Sequence, residues 1–318
     1  MRGETVNIGA LQLDGGDVLP AVEQRVTVYS DARAGRVALI AHALTGSSRV
    51  QEWWPGLVGA GRFFDPARWC VVGINSLGGC YGSTGPSNPG EGAPTPFPGI
   101  GVRDMVRAQQ RALALLGIKR FTVVVGGSLG GMQALQRALD FPLQVDRAVM
   151  IGAHDHHSPM GIALNALQRE ALALDPRRGL RLARKIAMLT YKSEELLRER
   201  HERRRDRNGL DRFDVEGYLE HQADLFERRM DAQTYALLTR AMGGFDVREA
   251  PAPSAPELLF IGISSDWLFR AQDVRAAAER FASLGTRSRY AELRSGHGHD
   301  AFLAEPDSLA KILDDPSG

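Results

Sequence analysis

The chain has 318 residues, 43% of them hydrophobic and 24% charged, with a formal net charge of +1. This composition excludes a disordered, collagen-like or disulfide-scaffold chain and gives no global drive toward nucleic acid. The length suits one large α/β domain, or one domain carrying an insertion.

No signal-peptide pattern opens the sequence, and no apolar run reaches the roughly 18 residues of a membrane span. Cys70 and Cys80 form neither a CxxC pair nor a framework. A cytoplasmic protein without membrane or nucleic-acid partners is therefore expected. Of the 39 basic residues, only Lys119, Lys185, Lys192 and Lys311 are lysines. The arginines are scattered rather than gathered into a phosphate-binding patch.

In chain order, Val6–Leu13 and Val22–Tyr29 alternate polar and apolar residues, as leading antiparallel strands do. Near-continuous apolar runs follow at 37–42, 70–75, 121–126, 147–152, 258–263 and 289–293. Such runs read as strands buried on both faces of a parallel sheet. Helical patterns at 102–116, 130–139, 272–284 and 306–312 sit between or after them. This alternation predicts an α/β fold.

Residues 78–101 form a long Gly- and Pro-rich loop, a length that is often functional. Residues 158–247 show helical periodicity and no convincing strand. They read as a helical lid inserted into a core of 1–157 and 248–318, with 250–256 (APAPSAP) as the returning linker. The arginines between Leu196 and Arg207 read as a solvated helix face.

The strongest local motif is Gly126-Gly127-Ser128-Leu129-Gly130-Gly131, between an apolar strand and a helix. Strand, sharp turn and helix are the context that a G-x-S-x-G nucleophile elbow requires. The helix N-terminus supplies N–H groups to a developing oxyanion. A serine needs a base, and the base an orienting acid. Asp266 follows one late strand and His299 another, where open parallel sheets place their sites. The lesser alternative for Asp266 is a helix N-cap before WLF. His297 competes with His299, and spacing does not choose between them. The backbone N–H groups of Leu44, after the early strand, and of Leu129 are the expected oxyanion pair. His42 reads as structural and Cys80 as a packed loop thiol. His154-Asp155-His156-His157 is rich in metal-type side chains, but four adjacent residues are not expected to converge on one ion, and no metal is expected.

Eight ordered blocks, together spanning about residues 37–304, resemble the homoserine O-acetyltransferases, members of the α/β-hydrolase fold. They are HALTGSS (42–48), EWWPGLVGAGR (52–62), NSLGGCYGSTGP (75–86), VRDMVRAQ (102–109), VVGGSLGGMQAL (124–135), GLRLARKIAMLTYK (179–192), ISSDWLF (263–269) and GHDAFL (298–303).

The resemblance implies a mostly parallel sheet flanked by helices, with an inserted helical lid. It implies transfer of acetyl from acetyl-CoA, a co-substrate rather than a resident cofactor, through acyl-Ser128 to L-homoserine. Asp266 and His299 match the other triad members, which selects His299 over His297. Arg184 matches the arginine gripping the substrate carboxylate, Asp300 the aspartate taking its ammonium, and Tyr191 an active-site tyrosine. Leu268 stands where succinyl-using relatives tend to carry arginine, which favours acetyl. A homodimer through the lid helices is also implied. The chain departs from the pattern at GAHDHHSP (152–159) and at Arg270, where a proline is common.

Overall fold

A computed structural model of the chain describes residues 1–30, 35–206 and 211–315. Its strands are β1 (Arg2–Gln12), β2 (Val18–Tyr29), β3 (Arg36–Ala41), β4 (Trp69–Ile74), β5 (Phe121–Gly127), β6 (Val145–Ile151), β7 (Glu257–Ile263) and β8 (Ser288–Leu293). They form one sheet of eight strands in the order β1-β2-β4-β3-β5-β6-β7-β8. The β1–β2 and β2–β4 pairs are antiparallel and every other pair is parallel. The leading hairpin is longer than the apolar alternation suggested. β1 begins at Arg2 because ladder pairing continues through its exposed polar residues.

The helices are α1 (Val50–Trp53), α2 (Val102–Leu115), α3 (Leu129–Asp140), α4 (Pro159–Leu174), α5 (Pro176–Tyr191), α6 (Glu194–His201), α7 (Asp214–Glu227), α8 (Ala232–Gly243), α9 (Ala271–Ser283), α10 (Ala301–Ala304) and α11 (Pro306–Asp314). Alternating strand side chains feed two cores, one on each sheet face. Val124, Ala148, Leu258 and Phe260 pack with α2, α3 and α9. Val123, Val125, Val149 and Ile261 pack with α1, α10 and α11. That double burial explains why these strands are almost uniformly apolar.

Helices α4 to α8 lie between β6 and β7 and pack on one another, and α5 also packs on the turn Gly298–Asp300. Side-chain oxygens of Ser158, Asp175, Ser193 and Asp231 accept N–H bonds at the starts of α4, α5, α6 and α8.

The arginine-rich run is not one helix face. Glu202 adopts a left-handed backbone with φ 48°, ending α6 at His201. Arg198 and Arg200 lie on the helix, while Arg203, Arg204 and Arg205 occupy the exposed turn after it. Arg207 falls outside the described residues.

Strand order reverses beside β3, with β4 on one side and β5 on the other. A crevice at such a switch point, at the carboxyl ends of the strands, is where open α/β sheets bind ligands. The Gly- and Pro-rich loop returns along β2. Buried Ser83 and Thr84 hold it there, their hydroxyls accepting the N–H groups of Arg25 and Glu23, each at 2.9 Å.

Candidate active site

Ser128 stands between β5 and α3 with φ 57° and ψ −126°, a left-handed backbone that costs a non-glycine residue about 1–3 kcal/mol. Its N–H donates to the Ile151 carbonyl at 2.9 Å, and its carbonyl accepts from the Met132 N–H at 3.1 Å. The surrounding glycines are there for want of space. A methyl on Gly126 would lie 2.8 Å from the Ala41 oxygen, and one on Gly131 2.6 Å from the Ala153 methyl. A methyl on Gly130 would lie 2.8 Å from the Ala41 carbonyl carbon and nearer still to its oxygen. The first turn of α3 therefore sits directly against the end of β3.

The end of β3 continues into the loop bearing Leu44. The buried His42 ring accepts the Ser76 N–H on Nε2 at 2.9 Å, so Nδ1 carries the proton donated to the Ala43 carbonyl at 2.8 Å. Burial pushes the His42 pKa down to about 4. His42 is thus a neutral brace for this loop. Among the described residues, neither the Leu44 nor the Leu129 N–H has a backbone partner. The Leu129 N–H is the first in α3, which no helical carbonyl can satisfy.

Asp266 and His299 meet across the ends of β7 and β8. Asp266 Oδ1 accepts the N–H groups of Leu268 and Phe269, each at 2.9 Å, while Oδ2 lies 2.6 Å from His299 Nδ1. The carboxylate therefore caps the WLF turn and orients the imidazole at once. Both side chains are essentially buried. With Nδ1–H donated to Asp266, Nε2 is the acceptor, and it has no hydrogen-bond partner among the described residues. Burial alone lowers the His299 pKa, but Asp266, by charge and hydrogen bond, and then Asp300 outweigh it, so the net shift is upward. Phe269 stacks on the ring at 5.1 Å, and Phe302 meets it edge-on at 5.9 Å. His297 is partly exposed, its Nε2 3.9 Å from Glu305, away from Asp266.

Ser128 and Leu44 line a small inner chamber of about 20 Å³ with Leu268, Tyr191, His157 and Asn165. Tyr191 also lines an outer cavity of about 460 Å³ that holds Arg184, Asp300, Arg229, Tyr81 and Trp53. Arg184 carries no carboxylate partner among the described residues. Its guanidinium lies 4.9 Å from the Phe226 ring and 5.8 Å from Tyr191, and its buried Nε is unpartnered. Asp300, by contrast, is already paired: Lys192 Nζ lies 2.7 Å from its Oδ2. Burial raises the Tyr191 pKa.

Sequence reasoning missed Lys192, Arg229 and the polar lining of the inner chamber. Lys192 carried a usable signal, being one of four lysines in an arginine-rich chain and adjacent to Tyr191. His157 Nε2 lies 3.1 Å from the Asn165 amide, Tyr235 Oη donates to Gln168 Oε1, and burial holds the His157 pKa near 4.

In the histidine-rich segment the four side chains do not all converge, but three of them do. Bends at Gly152 and Asp155 bring ligand atoms of His154, Asp155 and His156 within 4.8 Å of one another, while His157 turns to Asn165.

A nucleophile elbow at the switch point of a mostly parallel sheet, with an acid–histidine pair on the last two strands, defines an α/β-hydrolase-fold protein. The family model described as the alpha/beta hydrolase fold matches residues 38–306. A homoserine O-acetyltransferase of Acidiphilium cryptum is 40% identical over 93% of this chain and 90% of its own length. The chain belongs to the homoserine O-acetyltransferase family. A solved homoserine O-acetyltransferase of Staphylococcus aureus superposes with a TM-score of 0.82 at 25% identity, over 99% of this chain and 96% of that one. The acetyl esterase MekB gives 0.83 at 25% identity, over 99% and 95%. Backbone likeness therefore does not separate transferase from esterase. Among the described residues, no helix is long and apolar enough to cross a membrane.

Proposed function

We propose that this chain transfers the acetyl group of acetyl-CoA to the side-chain hydroxyl of L-homoserine through an acyl-serine. The observation that carries the reading is the buried Asp266–His299 pair with a free Nε2, taken together with a strained Ser128 at the elbow and a cavity bearing Arg184 and Asp300. His299 Nε2 takes the Ser128 proton as Oγ attacks the thioester carbonyl, and returns it to the departing thiol. It then takes the homoserine hydroxyl proton as that oxygen attacks the acyl-serine, and returns it to Ser128 Oγ. The Leu44 and Leu129 N–H groups serve both tetrahedral oxyanions.

Arg184, without a carboxylate of its own, receives the acceptor's α-carboxylate. Asp300 offers Oδ1 to the ammonium while Lys192 holds Oδ2. Leu268 lines the chamber at Ser128 and offers no cation to a free succinyl carboxylate, which favours acetyl. Two arginines lining the cavity, Arg49 and Arg229, suit the phosphates of CoA. A second copy of the chain would cover Met160, Leu167 and Leu174 on α4, Leu182 and Leu189 on α5, and Leu225 on α7, all exposed and apolar. A cytoplasmic location without membrane or nucleic-acid partners completes the reading.

Thiol release from acetyl-CoA and succinyl-CoA, with and without L-homoserine or L-serine, tests it. Fast release only with acetyl-CoA plus homoserine is expected, and none in Ser128→Ala. Steady release without acceptor would make water the acceptor and the chain an esterase like MekB. Release with serine alone would reassign the acceptor.

A further inference from the structure

The segment 154–156 carries chemistry that acyl transfer does not use. His154 is 1% exposed, and neither of its ring nitrogens has a hydrogen-bond partner among the described residues. Leaving a buried polar group unpaired costs about 1–3 kcal/mol. Asp155 lends Oδ2 to Arg280 Nε at 2.6 Å and Oδ1 to His156 Nδ1 at 2.8 Å. His154 Nδ1 stands 3.7 Å from that same Oδ1. One ligand atom from each of the three residues lies within 4.8 Å of the other two.

We propose that His154, Asp155 and His156 form a binding site for a divalent transition metal, zinc foremost, at the junction of the sheet with the inserted helices. Bonds of about 2.0–2.2 Å in a tetrahedron place neighbouring ligand atoms about 3.3 Å apart. The two separations to Asp155 Oδ1, 2.8 and 3.7 Å, straddle that value and the two histidines lie within 4.8 Å of each other, so side-chain rotations that draw the histidines together close the site. Two imidazoles and one carboxylate select zinc, copper or nickel over magnesium or calcium.

The ion gives His154 the partner that its burial denies it. Arg280 stays on the outer carboxylate oxygen and orients it. Its positive charge also makes this site weaker than a closed four-ligand zinc centre. The His156 side chain is 29% exposed, so ions have a way in and a fourth position is open to water. His156 forms a β-bridge with Asp246, and Arg280 belongs to α9. A bound ion therefore clamps the segment leaving the sheet to the segment returning to it. His154 packs 5.6 Å from Phe269, the ring stacked on His299. The ion's neighbourhood touches the catalytic pair without entering the acyl-transfer steps.

Equilibrium dialysis of tag-free protein against zinc chloride tests this, alongside thermal unfolding with and without zinc. The expected result is one zinc per chain at micromolar free metal, with a higher Tm, since the ion binds the folded state. His156→Gln and His154→Phe should each weaken binding about tenfold or more and abolish the Tm rise. His201→Gln, which alters the separate His201–Asp214 pair, should leave both unchanged. Failure to bind one equivalent below about 1 mM zinc would overturn the proposal. So would full binding by His156→Gln, whose partly exposed side chain makes the substitution compatible with folding even where His154→Phe is not.

Discussion

Gly130→Ala tests whether the close seating of α3 on β3 sets the oxyanion geometry. The added methyl would sit 2.8 Å from the Ala41 carbonyl carbon and 3.1 Å from that of His42. Carbon contacts begin at about 3.5 Å, so backbone must separate by at least about 0.7 Å. Both neighbours are main chain, and no rotamer change relieves them. The separation falls between the Leu129 and Leu44 N–H groups, which must converge on one oxygen. Misplacement on this scale costs about 100-fold in kcat/KM, near 2.7 kcal/mol, and the overpacking costs about 1–3 kcal/mol of stability. Gly243→Ala is the control: it lies in α8 with nothing within 4 Å, and gains up to about 1 kcal/mol from helix propensity. Thiol release from acetyl-CoA and urea unfolding read both effects. A Gly130→Ala enzyme within threefold of the parent rate would refute the argument.

Three further outcomes follow from the same geometry. The upward pKa shift of His299 means that kcat/KM declines as pH falls through a value above that of a free imidazole. Asp266→Asn should move that inflection to lower pH, and a pH profile with no such movement would contradict the assigned pair. His42, held near 4 in the fold against about 6.5 unfolded, contributes stability that is complete above pH 6.5 and lost as pH falls toward 4. The loss is on the order of 3 kcal/mol, and His42→Gln should flatten the decline in urea midpoint between pH 7 and 5; an unchanged slope would assign it to other groups. Leu268→Arg should raise the succinyl-CoA to acetyl-CoA rate ratio by adding a carboxylate partner to the inner chamber, and an unaltered ratio would remove Leu268 from acyl choice.

The parallel strands were legible because burial on both faces leaves them almost no polar residues. The elbow at Ser128 was legible because it directly follows β5, and Asp266 and His299, which the fold brings into contact, because both lie in the turns after late strands; spacing alone left His297 open beside His299. The pairing of Lys192 with Asp300 was not, since 108 positions separate them and only packing of α5 on the Gly298–Asp300 turn joins them. The end of α6 was hidden for another reason. A left-handed Glu202 breaks a run whose composition reads as helix throughout. The convergence of His154, Asp155 and His156 depends on two backbone bends that residue spacing does not encode. The elbow and its glycines are a local code, whereas the cavity holding Arg184 and Asp300 is assembled from loops, the helices between β6 and β7 and the turn after β8.

Tyr191 borders both the chamber at Ser128 and the cavity holding Arg184 and Asp300. On the proposed reaction, donor and acceptor would then use one vestibule in turn. The pantetheine arm would have to vacate the space that the amino acid later fills. An amino acid arriving early would obstruct the unacylated enzyme, so the second substrate at high concentration would become a competitor of the first. Flux through the enzyme would then track the ratio of the two metabolites rather than the abundance of either.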